Sequence, residues 1–311
     1  MERIIALSDL RAAIDEAYDQ FKNLTDGNVD PRIKDTAGDA FGISVMTPSG
    51  VLVTKGDSDI ASPLGKITKI PTVVTLLSQN SLDELMQKSG MQCCCLCHNV
   101  KKPDIPISTH GVRAISAVEP ANDSDGKYNI LINTMISLMG SAPVLDDTLY
   151  RKLSETNKTD DIENKLAEAG YYLYDDATIA VDLLTRITSL KATTGQLATM
   201  AATIAADGFN PISRQNVFDG KAARNVVAMM AVHGMRKMTR PWMIKTGLPV
   251  QSSFGGAMIG VLPGTFGIAA YSPRLNEAGV PIKAAKAIAY IMKRLDASVY
   301  SSARLKIDET N

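Results

Sequence analysis

Pro63-Leu64-Gly65-Lys66-Ile67-Thr68-Lys69-Ile70-Pro71 is the stretch whose reading decides the fold. It leads into an apolar run, Thr72-Val73-Val74-Thr75-Leu76-Leu77, which predicts a buried helix. Gly65 and Pro71 suit a helix start, because proline gives up no hydrogen bond in the first turn. Lys66 and Lys69 stand three apart, so both amines project from one face of that turn. Two ammonium groups at the positive end of a helix dipole disfavour each other's charge. The pair reads either as two solvated surface lysines or as an amine pushed toward neutrality. A neutral amine can serve as nucleophile, base or Schiff-base former.

Working outward, residues 41–46 and 51–54 read as two strands joined by Thr47-Pro48-Ser49-Gly50, which is good hairpin-turn chemistry. Before them, residues 8–21 carry apolar positions at helical spacing, with Ser8 as the expected cap. After the lysine turn, helices are expected over 128–139, 149–169, 175–190, 195–206 and 221–235. The period then returns to two. Residues 256–262 and 265–271 form a second hairpin about Pro263-Gly264, and a helix over 281–295 closes the chain. The polar tail after Tyr300 is expected to fray. The resulting organisation has a sheet part at 1–80 and 205–311 and a helical part at 81–204.

Lysine plus arginine equals aspartate plus glutamate at 33 each, so no global field draws nucleic acid or anionic lipid. No run of eighteen apolar residues exists, and the N-terminus has no signal-peptide cleavage pattern. These features predict a cytoplasmic protein with neither a membrane nor a nucleic-acid partner. All four cysteines fall at 93–97, beside His98. That placement argues against disulfides. Cys94, Cys97 and His98 are the weak metal candidates, and they also spell the haem-attachment pattern C-x-x-C-H, which needs export. Five ligands within six residues wrap one tetrahedral ion poorly, so the expectation is a thiol cluster and no cofactor. His110 is expected in a loop, and His233 in a packing or capping role on its helix.

The segment 197–275 has a distinctive order of features. Leu197-Ala198, Ala201-Ala202-Thr203, Gly208 and Pro211-Ile212 come first, then Ala223-Arg224, Met229-Met230 and Gly234-Met235. Gly247-Leu248-Pro249, Gly255-Gly256 and Tyr271-Ser272-Pro273-Arg274-Leu275 follow. This order resembles the serine-dependent glutaminases of the β-lactamase and penicillin-binding superfamily. The resemblance covers nearly the whole chain and is thinner over 81–176. It implies an α/β (α+β) fold, with a central antiparallel sheet built from both termini and an all-helical subdomain. It also implies a homodimer or homotetramer and a small amino-acid-like ligand.

The family's serine-x-x-lysine falls on Lys66 and Lys69, so an amine stands where the hydroxyl is expected. The family's binding asparagine matches Asn133, and the glutamate of its Ser-Glu pair matches Glu155. Its Gly-Met-Tyr reads Gly234-Met235-Arg236, and its Lys-Ser-Gly-Val reads Gln251-Ser252-Ser253-Phe254. The resemblance therefore implies Lys66 and Lys69 as catalytic groups. The ligand contacts it implies are Asn133, Glu155, Arg236, Gln251, Ser252 and Phe254. It places oxyanion donors at the backbone N–H groups of Lys66 and Phe254. An amine cannot run acyl-enzyme hydrolysis, because acyl transfer to nitrogen leaves a stable amide. The expected chemistry is Lys66 as base or Schiff-base amine toward a small amide or carbonyl compound. The alternatives are a ligand-binding scaffold without catalysis and a glutaminase releasing ammonia from glutamine.

Overall fold

The computed structural model describes residues 2–89, 107–157, 159–168 and 172–310. The chain divides into two compact units, one of residues 1–67, 135–144 and 191–311, the other of 68–134 and 145–190.

The first unit is organised on a five-stranded antiparallel sheet. The chain enters it through β1 (Glu2–Ala6) and helix α1 (Leu7–Phe21), then forms β2 (Gly42–Met46) and β3 (Leu52–Gly56). Far along the chain come β4 (Val250–Ser252), β5 (Ala257–Leu262) and β6 (Phe266–Tyr271), giving the spatial order β4-β5-β6-β2-β3. Every residue of β2, β5 and β6 is buried. The period-two signal weakens there because both sheet faces are covered. Ile43, Val45, Ile268 and Ala270 face the core shared with α1 and the closing helix Ile282–Arg294. Ser44 faces the other way and hydrogen-bonds Thr194 at 2.7 Å, where the helix Thr194–Ala205 lies on the sheet. A Cβ at Gly267 would meet the backbone nitrogen of Ala202 at 2.1 Å, so glycine there permits the contact. This packing puts Thr194–Ala205 with the sheet, although the sequence boundary at 204 had placed it with the helical part.

Four local expectations need correction. The tail does not fray: Arg304–Asp308 forms a strand parallel to β1, with Leu305 buried and its carbonyl accepting from Thr265. The cap of α1 is Ala6, whose N–H donates to Asp9 at 3.2 Å, because β1 runs straight into the helix. His110 lies within the helix Ile107–Ser116. His233 is the basic residue in the last turn of the helix Gly220–His233 and is exposed, so only the packing alternative falls.

The second unit is helical. Lys69–Gln79 opens it, Ser124–Met139 runs out of it, and Asp147–Thr156, Thr159–Glu168 and Ala177–Thr188 follow. The single helix expected over 149–169 is two. Beside an apolar cluster of Val112, Leu166, Ala180 and Val181, this unit buries an ion pair: the Lys127 ammonium lies 2.6 Å from Asp175, and both side chains are fully buried. Lys127 also donates to the Ser116 carbonyl at 2.9 Å, and Asp175 accepts the Asn122 N–H at 2.7 Å.

Candidate active site in the sheet unit

The lysine turn begins at Gly65, whose φ of +48° favours glycine. A Cβ there would stand 2.5 Å from the Ser253 hydroxyl and 2.8 Å from the Phe254 ring. Glycine thus lets the 3₁₀ turn Gly65–Thr68 press against the loop that leaves β4. Lys66 is half-buried in that turn, between buried Gly65 and Ile67.

Ser253 holds the facing loop. Its hydroxyl donates to the Pro63 carbonyl at 3.0 Å and accepts the Gly255 N–H at 3.0 Å. The neighbouring amides are also committed. Ser252 N–H donates to Gly234 O, Ser253 N–H to Ala257 O and Gly256 N–H to Ser253 O. Among the described residues, the Phe254 N–H has no hydrogen-bond acceptor. An unmet backbone donor beside the lysine turn is what an oxyanion site needs.

The remaining predicted residues divide between the units. Gln251 is buried, and its amide nitrogen donates to Gly234 O at 2.9 Å and Ser252 O at 3.1 Å. Its NH₂ therefore ties β4 to the end of the helix Gly220–His233. Ser252 is buried on the same strand. Arg236 is exposed just beyond that helix, with φ of +54°. In the helical unit, Lys69 opens its helix half-buried, while Asn133 and Glu155 are exposed on theirs. Cys94, Cys97 and His98 lie outside the described residues. Among the described residues, no group of three or more His, Cys, Asp or Glu side chains could hold a metal ion. No helix there is long and apolar enough to cross a membrane.

Sequence reading missed Ser253 as a clip and Gly65 as a contact residue. Their signal was available only as small residues on either side of the site, which many turns share.

The glutaminase family model matches residues 27–300. The chain belongs to the glutaminase family. It is 36% identical to a glutaminase of Bacteroides thetaiotaomicron over 98% of this chain and 99% of that protein. It is 33% identical to a glutaminase of Parabacteroides distasonis over 99% of each. The solved structure of a probable glutaminase, ybaS, superposes with a TM-score of 0.87 at 27% identity, covering 96% of this chain and all of that one. The fold is that of the glutaminases, with the β-lactamase-like architecture expected from the sequence.

Proposed function

We propose that this glutaminase-family chain hydrolyses the side-chain amide of glutamine or a close γ-amide, with the Lys66 amine as general base. The observation that carries the reading is the end-to-end likeness to relatives named glutaminase, at 36% identity over 98% of the chain. The uncommitted Phe254 N–H beside the Gly65–Lys66 turn supports the mechanism.

In this reading, water adds to the amide carbon as Lys66 accepts its proton. The carbonyl electron pair moves to oxygen, facing the Lys66 and Phe254 backbone N–H groups. The C–N bond then breaks, and Lys66 returns the proton to the leaving nitrogen. One water is consumed, and one ammonia and one carboxylic acid are released. Direct attack by the amine is disfavoured because it ends in a stable amide. A Schiff base is disfavoured because the substrate offers an amide carbon rather than a ketone or aldehyde. Arg236 takes the substrate carboxylate. Assembly as a homodimer or homotetramer belongs to the same proposal.

The test is ammonia release from L-glutamine by the purified chain. Turnover is expected, with a fall of about 10²–10⁴-fold in Lys66→Ala. A wild type that releases no ammonia from glutamine or other γ-amides refutes the reading and leaves a ligand-binding scaffold. Undiminished turnover in Lys66→Ala moves the base elsewhere.

A further inference from the structure

Phe254 is clamped from a distant part of the chain. The 3₁₀ turn Pro31–Ile33 carries Arg32, whose guanidinium carbon lies 3.8 Å from the centre of the Phe254 ring. The cation is itself oriented by Asp30: Nε donates to one carboxylate oxygen at 2.8 Å and Nη2 to the other at 2.7 Å. Asp30 also accepts the Arg32 N–H at 3.0 Å, capping the turn, and only 14% of its side chain is exposed. This two-point grip fixes the guanidinium plane, the geometry that stacks on an aromatic face. The same ring lies where a Cβ on Gly65 would fall, 2.8 Å away. Arg32, Phe254 and Gly65 thus form one series of contacts ending at the residue before Lys66.

The ring and the N–H belong to the same residue. Ser253 fixes the loop on one side of Phe254 through Pro63 and Gly255, but Phe254 itself makes no main-chain hydrogen bond through its N–H. Its peptide plane is held by the Ser253 carbonyl, which accepts the Gly256 N–H at 3.2 Å, and what holds the side chain adds to that orientation. Small shifts of an oxyanion donor matter because its effect depends on distance to the developing charge.

We infer that Arg32, oriented by Asp30, is a positioning residue that fixes the Phe254 backbone N–H against the Lys66 turn. The inference rests on the amide-hydrolase reading above and adds a specific role for the Asp30–Arg32 pair. A valine at 254, the residue the family motif carries, offers no ring to stack, so the clamp and the phenylalanine go together.

A double-mutant cycle on the purified full chain tests this. Arg32→Ala is expected to lower kcat for glutamine about tenfold with KM changed less than twofold. The same substitution in a Phe254→Val background is expected to change kcat less than twofold. Arg32→Lys, which keeps the charge but loses the planar stack, should behave like Arg32→Ala. Hydrogen exchange gives a second readout that needs no turnover. The Ser253, Gly255 and Gly256 amides should exchange at least threefold faster in Arg32→Ala than in wild type, and not in the valine background. Equal effects of Arg32→Ala in both backgrounds, or a rise in KM alone, overturn the clamp. If the wild type is silent on glutamine, the function reading falls, and the exchange comparison alone then decides for or against the clamp.

Discussion

Lys283, in the sheet unit, and Lys127, in the helical unit, are both buried, and they are satisfied by different kinds of partner. Lys283 donates to two main-chain carbonyls, Lys22 O at 2.8 Å and Asp39 O at 2.9 Å. Lys127 has a carboxylate at 2.6 Å. Other side chains follow each mode, beside exceptions such as the Ser44–Thr194 and Tyr290–Glu16 pairs in the sheet unit and the Lys127 bond to the Ser116 carbonyl in the helical unit. In the sheet unit, Ser253, Gln251, Trp242 and Thr265 all direct their polar atoms at backbone carbonyls. In the helical unit, Tyr150 donates to Asp182, Asn157 to Thr185 and Arg113 to Tyr174. Helices satisfy their own backbone internally and leave side chains to pair with each other, whereas loops joining strands need side chains to meet their carbonyls. Side-chain deletion should therefore weigh most in the helical unit, and backbone geometry most in the sheet unit.

The largest expected effect is on the helical side. Asp175→Ala leaves a buried ammonium without its counter-charge and should cost about 3–5 kcal/mol in denaturant unfolding. A loss below about 1 kcal/mol would mean that water reaches Lys127, and the contrast would fail. Next comes the backbone of the candidate site. Gly65→Ala combines a positive φ with contacts of 2.5 Å and 2.8 Å. It should cost about 1–3 kcal/mol and depress any ammonia release, with unfolding and activity followed on the same preparation. Unchanged stability would show that the turn can retreat from Phe254.

Ser253→Ala removes one donor and one acceptor that hold the loop. About 1–2 kcal/mol is expected, and a neutral result would indicate that Gly255 and Pro63 find other partners. The smallest effect is a pH slope. Burial holds the Lys283 amine below its ordinary value of 10.5. Just below that value the unfolded chain binds more protons at this site than the folded one does. Its contribution to stability should therefore increase as pH rises toward 10.5. Unfolding measured over pH 8–10.5 should show a less positive slope of stability against pH for Lys283→Met than for wild type; an identical slope would remove Lys283 from the account.

Much of the fold was legible because local chemistry and tertiary role agree. Both hairpins follow from Thr47-Pro48-Ser49-Gly50 and Pro263-Gly264 between β-forming runs, and they pair as expected. The end strands were not legible. Glu2–Ala6 and Arg304–Asp308 lie at opposite ends of the chain, and each becomes a strand only by pairing with the other. In the site, Lys66 and Phe254 could be named from the order of motifs. Arg32 could not, because an Asp-Pro-Arg turn gives no sign that its guanidinium will meet a ring more than 200 positions later.

What the sequence by itself determined was the family, the order of hairpins and helices, and a lysine at position 66 on a helix start. Each depends on residue types and short spacings, which the chain carries wherever it folds. Only the tertiary structure decided which backbone donor beside Lys66 lacks an acceptor and which cation stacks on Phe254. It also decided which buried lysine has a carboxylate. Those are contacts between residues remote in the chain, and burial gives them their energetic weight.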